Sequence, residues 1–216
     1  MIKCCIFDLD GTILDTVSSI THFVNLALQK WDIKPITIEQ SKIFVGNGSR
    51  KLIERACANG GVTDESTITS VHEYYNQIYD ENPLLYTQPF DGILDVLDAM
   101  AQKGIKLAVL SNKPDSTVKS LVKTFFADRF LYVAGGRDGV PLKPNPSCTG
   151  EVLSALCVNA SEVMFVGDTS VDVETGKNMG AGVTVGVLWG FRDREELASA
   201  GADVIVSSPK EILEHL

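Results

Sequence analysis

No stretch of the 216-residue sequence stays apolar for the ~18 residues that a membrane span requires. Met1 to Ile6 is too short for the apolar region of a secretory leader, so the expectation is a cytoplasmic protein that does not engage a membrane. Cysteine is sparse: Cys4, Cys5, Cys57, Cys148 and Cys157 are odd in number and form no C-x-x-C pair, which fits reduced thiols and not a disulfide framework or zinc site. The three histidines, His22, His72 and His215, lie too far apart in sequence for ligand spacing. Positive charge is also short. With 19 Lys and Arg against 28 Asp and Glu the net charge is −9, a balance that repels nucleic-acid phosphates and argues against a nucleic-acid partner. There is no internal repeat and no Pro-rich linker. What remains is an ordinary globular chain, 44% hydrophobic, long enough for one sizeable core and a smaller second one.

Two patterns divide that chain. Ile20, Phe23, Val24, Ala27, Leu28 and Trp31 recur at helical spacing, as do Ile68, Val71, Tyr75 and Ile78. Between them Gly48 to Asn59 reads as a shorter helix stopped by Gly60-Gly61. From Asp15 to about Tyr86 the expectation is helices and loops alone. From Pro89 onward strands alternate with helices: strands Ile105–Leu110, Leu131–Ala134, Val163–Val166, Val183–Leu188 and Val204–Val206, with helices Ile93–Ala101, Thr117–Phe126, Ser147–Cys157, Val171–Met179, one from Arg194 and a terminal one. Such alternation implies a parallel sheet covered on both faces. The opening strand of "CIFDLDGTILDT" belongs to the same sheet. The predicted architecture is therefore α/β, a Rossmann-like parallel sheet formed by 1–14 and 87–216 with an all-helical cap domain, 15–86, inserted after the first strand. The crossings near Leu14–Thr16 and Leu84–Gln88 are short enough to act as a hinge pair.

Ligands of open parallel sheets bind beyond the carboxyl ends of the strands, so the residues there matter most. The first strand delivers Asp8 and Asp10. "KLAVL" delivers Ser111, Asn112 and Lys113; "VMFV" delivers Asp168 and Asp172; and the loop "PLKPNP" carries Lys143. Buried carboxylates cost several kcal/mol unless compensated, so this many acids on one edge call for a cation. Carboxylate oxygens suit Mg²⁺, held by Asp8, Asp168 and the backbone carbonyl of Asp10. Asp172 has three readings: direct ligand, ligand through water, or a group that solvates the first turn of its helix. Asp8 can attack phosphorus as a nucleophile, and Asp10 can protonate the leaving alcohol and later deprotonate water. Ser111, Asn112, nearby backbone N–H groups and Lys143 can balance the phosphoryl charge. Thr16 is either a helix cap or part of the site lining.

In this arrangement "DLDGT", "LSN", Lys143 and "GDTSVD" resemble, in order, the four motifs of the haloacid dehalogenase superfamily, over essentially the whole chain. "VGNGSRKLIERA" and "LSNKP" look like its phosphoglycolate phosphatase branch. The resemblance implies a Mg²⁺-dependent phosphatase of a small organic phosphomonoester working through an aspartyl-phosphate. Dehalogenases and phosphonate hydrolases of the superfamily lack the second acid, so Asp10 argues against both. Pyrophosphatase, nucleotidase or sugar phosphomutase activity is the alternative, and outside enzymes a phospho-accepting signalling domain, which leaves Asp10 and the cap unexplained. Substrate choice is expected in the cap. There Asn47, Gly48 and Arg50 can meet the tail of the substrate, with the Arg50 guanidinium gripping a carboxylate.

Overall fold

The computed structural model describes residues 1–216. Its centre is a six-stranded parallel sheet. In chain order the strands are β1 (Cys4–Phe7), β4 (Lys106–Pro114), β5 (Tyr132–Gly136), β6 (Val163–Gly167), β7 (Val183–Val187) and β8 (Val204–Val206); β2 (Leu14–Asp15) and β3 (Gln88–Pro89) lie outside this sheet. Across the sheet the order is β5-β4-β1-β6-β7-β8, so β1 sits inside, hydrogen-bonded to β4 and β6. Side chains alternate between faces along a strand, and both faces here are covered. Cys5, Phe7, Leu107, Val109, Met164 and Val166 enter one core cluster, while Cys4, Ile6, Ala108, Leu110, Val163 and Phe165 enter another. The uninterrupted apolar runs in the sequence are the consequence.

The crossover helices are α5 (Ile93–Gln102), α6 (Asp115–Phe126), α7 (Gly150–Leu156), α8 (Ser170–Met179) and α9 (Arg194–Ser199). Two expected helices differ in kind. Residues Pro146–Thr149 form a 3₁₀ turn before α7 begins, and the terminal element, Pro209–His215, is wholly 3₁₀. Each starts with a proline at its first position, which fixes φ and lacks an N–H. β4 is longer than expected: it runs on through Ser111, Asn112 and Lys113 to Pro114, with a register shift against β5 after Leu110. Such an irregularity bends the strand and re-aims its side chains.

Between β1 and α5 the chain forms α1 (Val17–Gln29), α2 (Ile38–Phe44), α3 (Ser49–Asn59) and α4 (Glu65–Glu81). These pack around their own core of sixteen buried residues, from Ile20 to Tyr79. Helix α2 follows no apolar periodicity in the sequence; a capping box of Thr37 and Gln40 starts it. The two crossings are joined to each other. β2 (Leu14–Asp15) pairs antiparallel with β3 (Gln88–Pro89), Leu14 opposite Pro89 and Asp15 opposite Gln88, a ribbon that the expectation of helices and loops alone leaves out.

Candidate active site

β1 ends at Phe7, and the Asp8 N–H makes one further rung by donating to the Val166 carbonyl at 2.9 Å. The chain then turns sharply. The Leu9 carbonyl accepts from the N–H groups of Thr12, Ile13 and Leu14. Gly11 takes φ +84°, and a Cβ there would stand 2.4 Å from Oδ2 of Asp168. Both the backbone angle and the space demand glycine. Asp168 is closed in from other sides too: its Oδ1 accepts from the Thr12 hydroxyl at 2.8 Å and its Oδ2 from the Phe191 N–H at 2.8 Å. The G-T of the first motif thus exists to seat Asp168, an acid 156 residues further along the chain.

Asp8, Asp168 and Asp172 each offer a carboxylate oxygen within 4.8 Å of the others, and all are buried. Three anions so close and so dry repel one another. Burial pushes Asp8 up to about 7, with Lys143 pulling it down and Asp172 and Asp10 pushing it up. Asp168 is raised well above the usual carboxylate range, first by burial and then by Asp172 and Asp8. A hard, oxygen-only donor set short of positive charge is what a divalent cation requires. The side chain of Asp10 lies outside this group of three, which leaves its backbone carbonyl as the candidate ligand.

The Lys143 ammonium stands between two of the acids, donating to Asp8 Oδ1 and to Asp172 Oδ1, both at 2.7 Å. Burial works against its charge, but Asp172 and Asp8 outweigh it and the pKa is raised. Asn112 holds the peptide of Lys143, donating to its carbonyl at 3.0 Å and accepting from its N–H at 2.8 Å. The second amide proton of Asn112 goes to the Gly46 carbonyl at 2.9 Å. With its side-chain donors committed, Asn112 positions the site from the cavity wall, next to Ser111. Ser111 is buried on the cavity wall, its Oγ accepting only a long 3.3 Å contact from the Lys113 N–H.

A cavity opens above these groups, between the strand ends and the helices α1–α4. Asp8, Asp10, Ser111, Lys113, Lys143 and Asp172 line it from the sheet side, and Gly48, Ser49, Leu52, Tyr75, Asn76 and Tyr79 from the helical side. Lys113 bridges the two sides. Its ammonium lies 3.3 Å from both carboxylate oxygens of Asp10 and 3.0 Å from the hydroxyl of Tyr79. Burial opposes the charge; Asp10, Tyr79 and Tyr75 outweigh it and raise the pKa.

The remaining expected residues fall in different places. Gly48 reaches the cavity, whereas Asn47 accepts from the Arg55 guanidinium and does not line it. Arg50 turns away from the cavity, bonding Glu54, Thr69 and Glu65 on the surface of the helical layer. The carboxylate-gripping expectation for Arg50 is therefore corrected: Glu54, one turn along α3, and Glu65, the first residue of α4, satisfy its guanidinium. Thr16 is wholly buried, its hydroxyl unpartnered, and it is not part of the cavity wall. Conversely Tyr75, Asn76, Tyr79 and Phe191 line the cavity without having been singled out for it. The two tyrosines and Asn76 sit on one side of α4, and the apolar periodicity there reads as core until the helix is placed over the strand ends.

The haloacid dehalogenase-like hydrolase model matches residues 5–186. This protein belongs to that family. Within it the chain is phosphoglycolate phosphatase-like. It is 34% identical over 208 residues to the phosphoglycolate phosphatase of Rhodospirillum rubrum, covering 94% of this chain and 86% of that one. With the phosphoglycolate phosphatase of Vibrio parahaemolyticus it shares 28% over 218 residues, 99% of this chain and 95% of the other. Among solved structures, that of a candidate phosphoglycolate phosphatase from Lactobacillus delbrueckii subsp. bulgaricus superposes with a TM-score of 0.94 at 32% identity, covering 99% and 97% of the two chains. As a member of the family the protein is a phosphoric monoester hydrolase whose α/β core and helical cap match those of its relatives.

Proposed function

We propose that the protein is a Mg²⁺-dependent phosphatase that cleaves a small phosphomonoester through an aspartyl-phosphate on Asp8, with phosphoglycolate the first candidate substrate. The observation that carries this reading is the packing of Asp8, Asp168 and Asp172 within 4.8 Å of one another, with the Lys143 ammonium bonded to Asp8 and Asp172. In this reading 15–86 is the cap domain, and 1–14 with 87–216 the catalytic core.

Asp8, Asp168 and the Asp10 carbonyl would hold Mg²⁺, with Asp172 as a further oxygen donor. When bound, the ion supplies positive charge that lets several carboxylates and a phosphate share the site and that polarises the phosphoryl oxygens. The chain supplies the rest. A carboxylate oxygen of Asp8 forms a bond to phosphorus as the bond from phosphorus to the ester oxygen breaks, and Asp10 gives its proton to the departing oxygen. Asp10, now ionised, takes a proton from water as that water bonds to phosphorus and the Asp8–phosphorus bond breaks; phosphate leaves and both residues return to their starting state. Lys143 and the Ser111 hydroxyl address the phosphoryl oxygens as charge develops there. Asn112 keeps Lys143 in place.

Phosphoglycolate comes first because the relatives spanning nearly the whole chain are phosphatases of that ester. The test is phosphate release from phosphoglycolate, pyrophosphate, nucleoside monophosphates and sugar phosphates in Mg²⁺, with and without EDTA. Turnover of phosphoglycolate above the other esters, abolished by EDTA, is expected. Stoichiometric retention of phosphate without turnover would instead favour a signalling domain.

A further inference from the structure

Resting on the reading of the substrate as a phosphate ester with a second anionic group, we infer that Lys113 is the residue that recognises that second anion. The cavity wall holds two cationic side chains, Lys143 and Lys113, and no arginine or histidine. Lys143 is committed to Asp8 and Asp172, at the end of the cavity where phosphorus is attacked. Four acids line the same cavity, Asp8, Asp10, Asp80 and Asp172. A carboxylate enclosed among them costs several kcal/mol unless it meets a cation. Lys113 is the cation left to meet it.

Its position matches the chemistry of the ester. Asp10 delivers the proton to the bridging oxygen, and the Lys113 ammonium lies 3.3 Å from the oxygens of Asp10. In phosphoglycolate the bridging oxygen and the carboxylate are separated by a single methylene, so the group acting on one and the group binding the other must be neighbours. The two contacts to Asp10 are long for a charge-assisted hydrogen bond, so Asp10 does not use up the ammonium's bonding capacity. Tyr79 supports the ammonium from the helical side, with its hydroxyl at 3.0 Å and its ring centroid at 4.1 Å. The reader of the tail is thus mounted on a strand of the sheet, one residue beyond the clasp on Lys143, and is steadied by α4.

The experiment compares kcat and KM of the wild-type protein, Lys113→Gln and Lys113→Met with phosphoglycolate, with 3-phosphoglycerate, and with ethyl phosphate, which replaces the carboxylate by a methyl group. Circular dichroism and melting temperature establish which variants are folded, the Met variant preserving the apolar stem if the Gln variant does not fold. The expected result is a fall in kcat/KM for the anionic ester that exceeds the fall for ethyl phosphate by roughly 10- to 100-fold, carried mainly by KM. Equal losses on anionic and neutral esters would place Lys113 in service of Asp10 alone and overturn the inference. So would a wild-type protein with no preference for either anionic tail. If the wild-type protein prefers 3-phosphoglycerate and the variants lose that preference, Lys113 stands while phosphoglycolate falls. If it prefers phosphoglycolate and the variants keep the preference, the substrate stands and Lys113 falls.

Discussion

The Asn112 carboxamide clasps the Lys143 peptide from both sides, donating to its carbonyl at 3.0 Å and accepting from its N–H at 2.8 Å. A residue of the second motif thereby fixes the cation of the third, across 31 residues of chain. Its remaining proton reaches the Gly46 carbonyl, so the same side chain also ties the helical layer to the sheet.

Asn112→Ala leaves the Lys143 N–H and two carbonyls without these partners, at about 1–3 kcal/mol for each buried group left unsatisfied. The expected outcome is a lower melting temperature together with a fall in kcat/KM. Asn112→Asp is expected to be worse than Ala, because a carboxylate then faces two carbonyl oxygens. Thermal melts and steady-state kinetics on the pair check the order, and Asp milder than Ala would contradict the clasp.

Asp8→Asn removes the nucleophile yet preserves shape. The kcat is expected below about a tenth of wild type, a barrier increase of more than roughly 1.4 kcal/mol. Acid-quenched samples from the wild-type protein should carry phosphate on Asp8, and those from the variant none. Residual turnover above that level with no change in labelling removes Asp8 from the nucleophile's role.

Asp168→Asn separates metal binding from folding. An amide can accept from the Phe191 N–H with its oxygen while its nitrogen donates to the Thr12 hydroxyl, so the local bonds survive in altered sense. A ligand at a hundred times its Kd stabilises by about 2.7 kcal/mol. Mg²⁺ is expected to raise the melting temperature of the wild-type protein and to need far higher concentrations in the variant. A Mg²⁺ titration of melting temperature with identical midpoints for the two proteins counts against Asp168 as a ligand.

Arg50→Ala is expected to leave kcat/KM for phosphoglycolate within about 3-fold of wild type, and to cost at most about 1 kcal/mol in stability for each half-exposed ion pair lost. Parallel kinetics and denaturant melts decide it. A large rise in KM would mean that Arg50 swings into the cavity when substrate binds.

How much of this was legible in the sequence depends on what each residue answers to. The sheet was, because strands buried on both faces read as apolar runs, and β1 with its two acids could be read together with the strand ends that follow. The acids converged because strand ends converge. Arg50 was not legible: helical phase leaves the direction of a long side chain open, and Glu54 and Glu65 settle it only once α3 and α4 are packed. Tyr79 was hidden for the opposite reason, since a buried aromatic on an apolar helix face looks like core whether its hydroxyl meets a lysine or nothing. The β4 extension to Pro114 was missed because Ser-Asn-Lys-Pro has the composition of a turn, and pairing with β5 overrides that composition.

The β2–β3 ribbon has a consequence for how such a chain can be rebuilt. Because Asp15 and Gln88 stand opposite each other as paired residues, the whole stretch between them leaves and re-enters the sheet-bearing part through one doorway. Antiparallel neighbours of this kind are close enough for a short hairpin turn to join them. The length of the helical segment is in that sense free of the sheet: however long the stretch between Asp15 and Gln88, the gap that β2 and β3 leave in the sheet-bearing part is the same, and Asp8, Lys143, Asp168 and Asp172 all lie outside it.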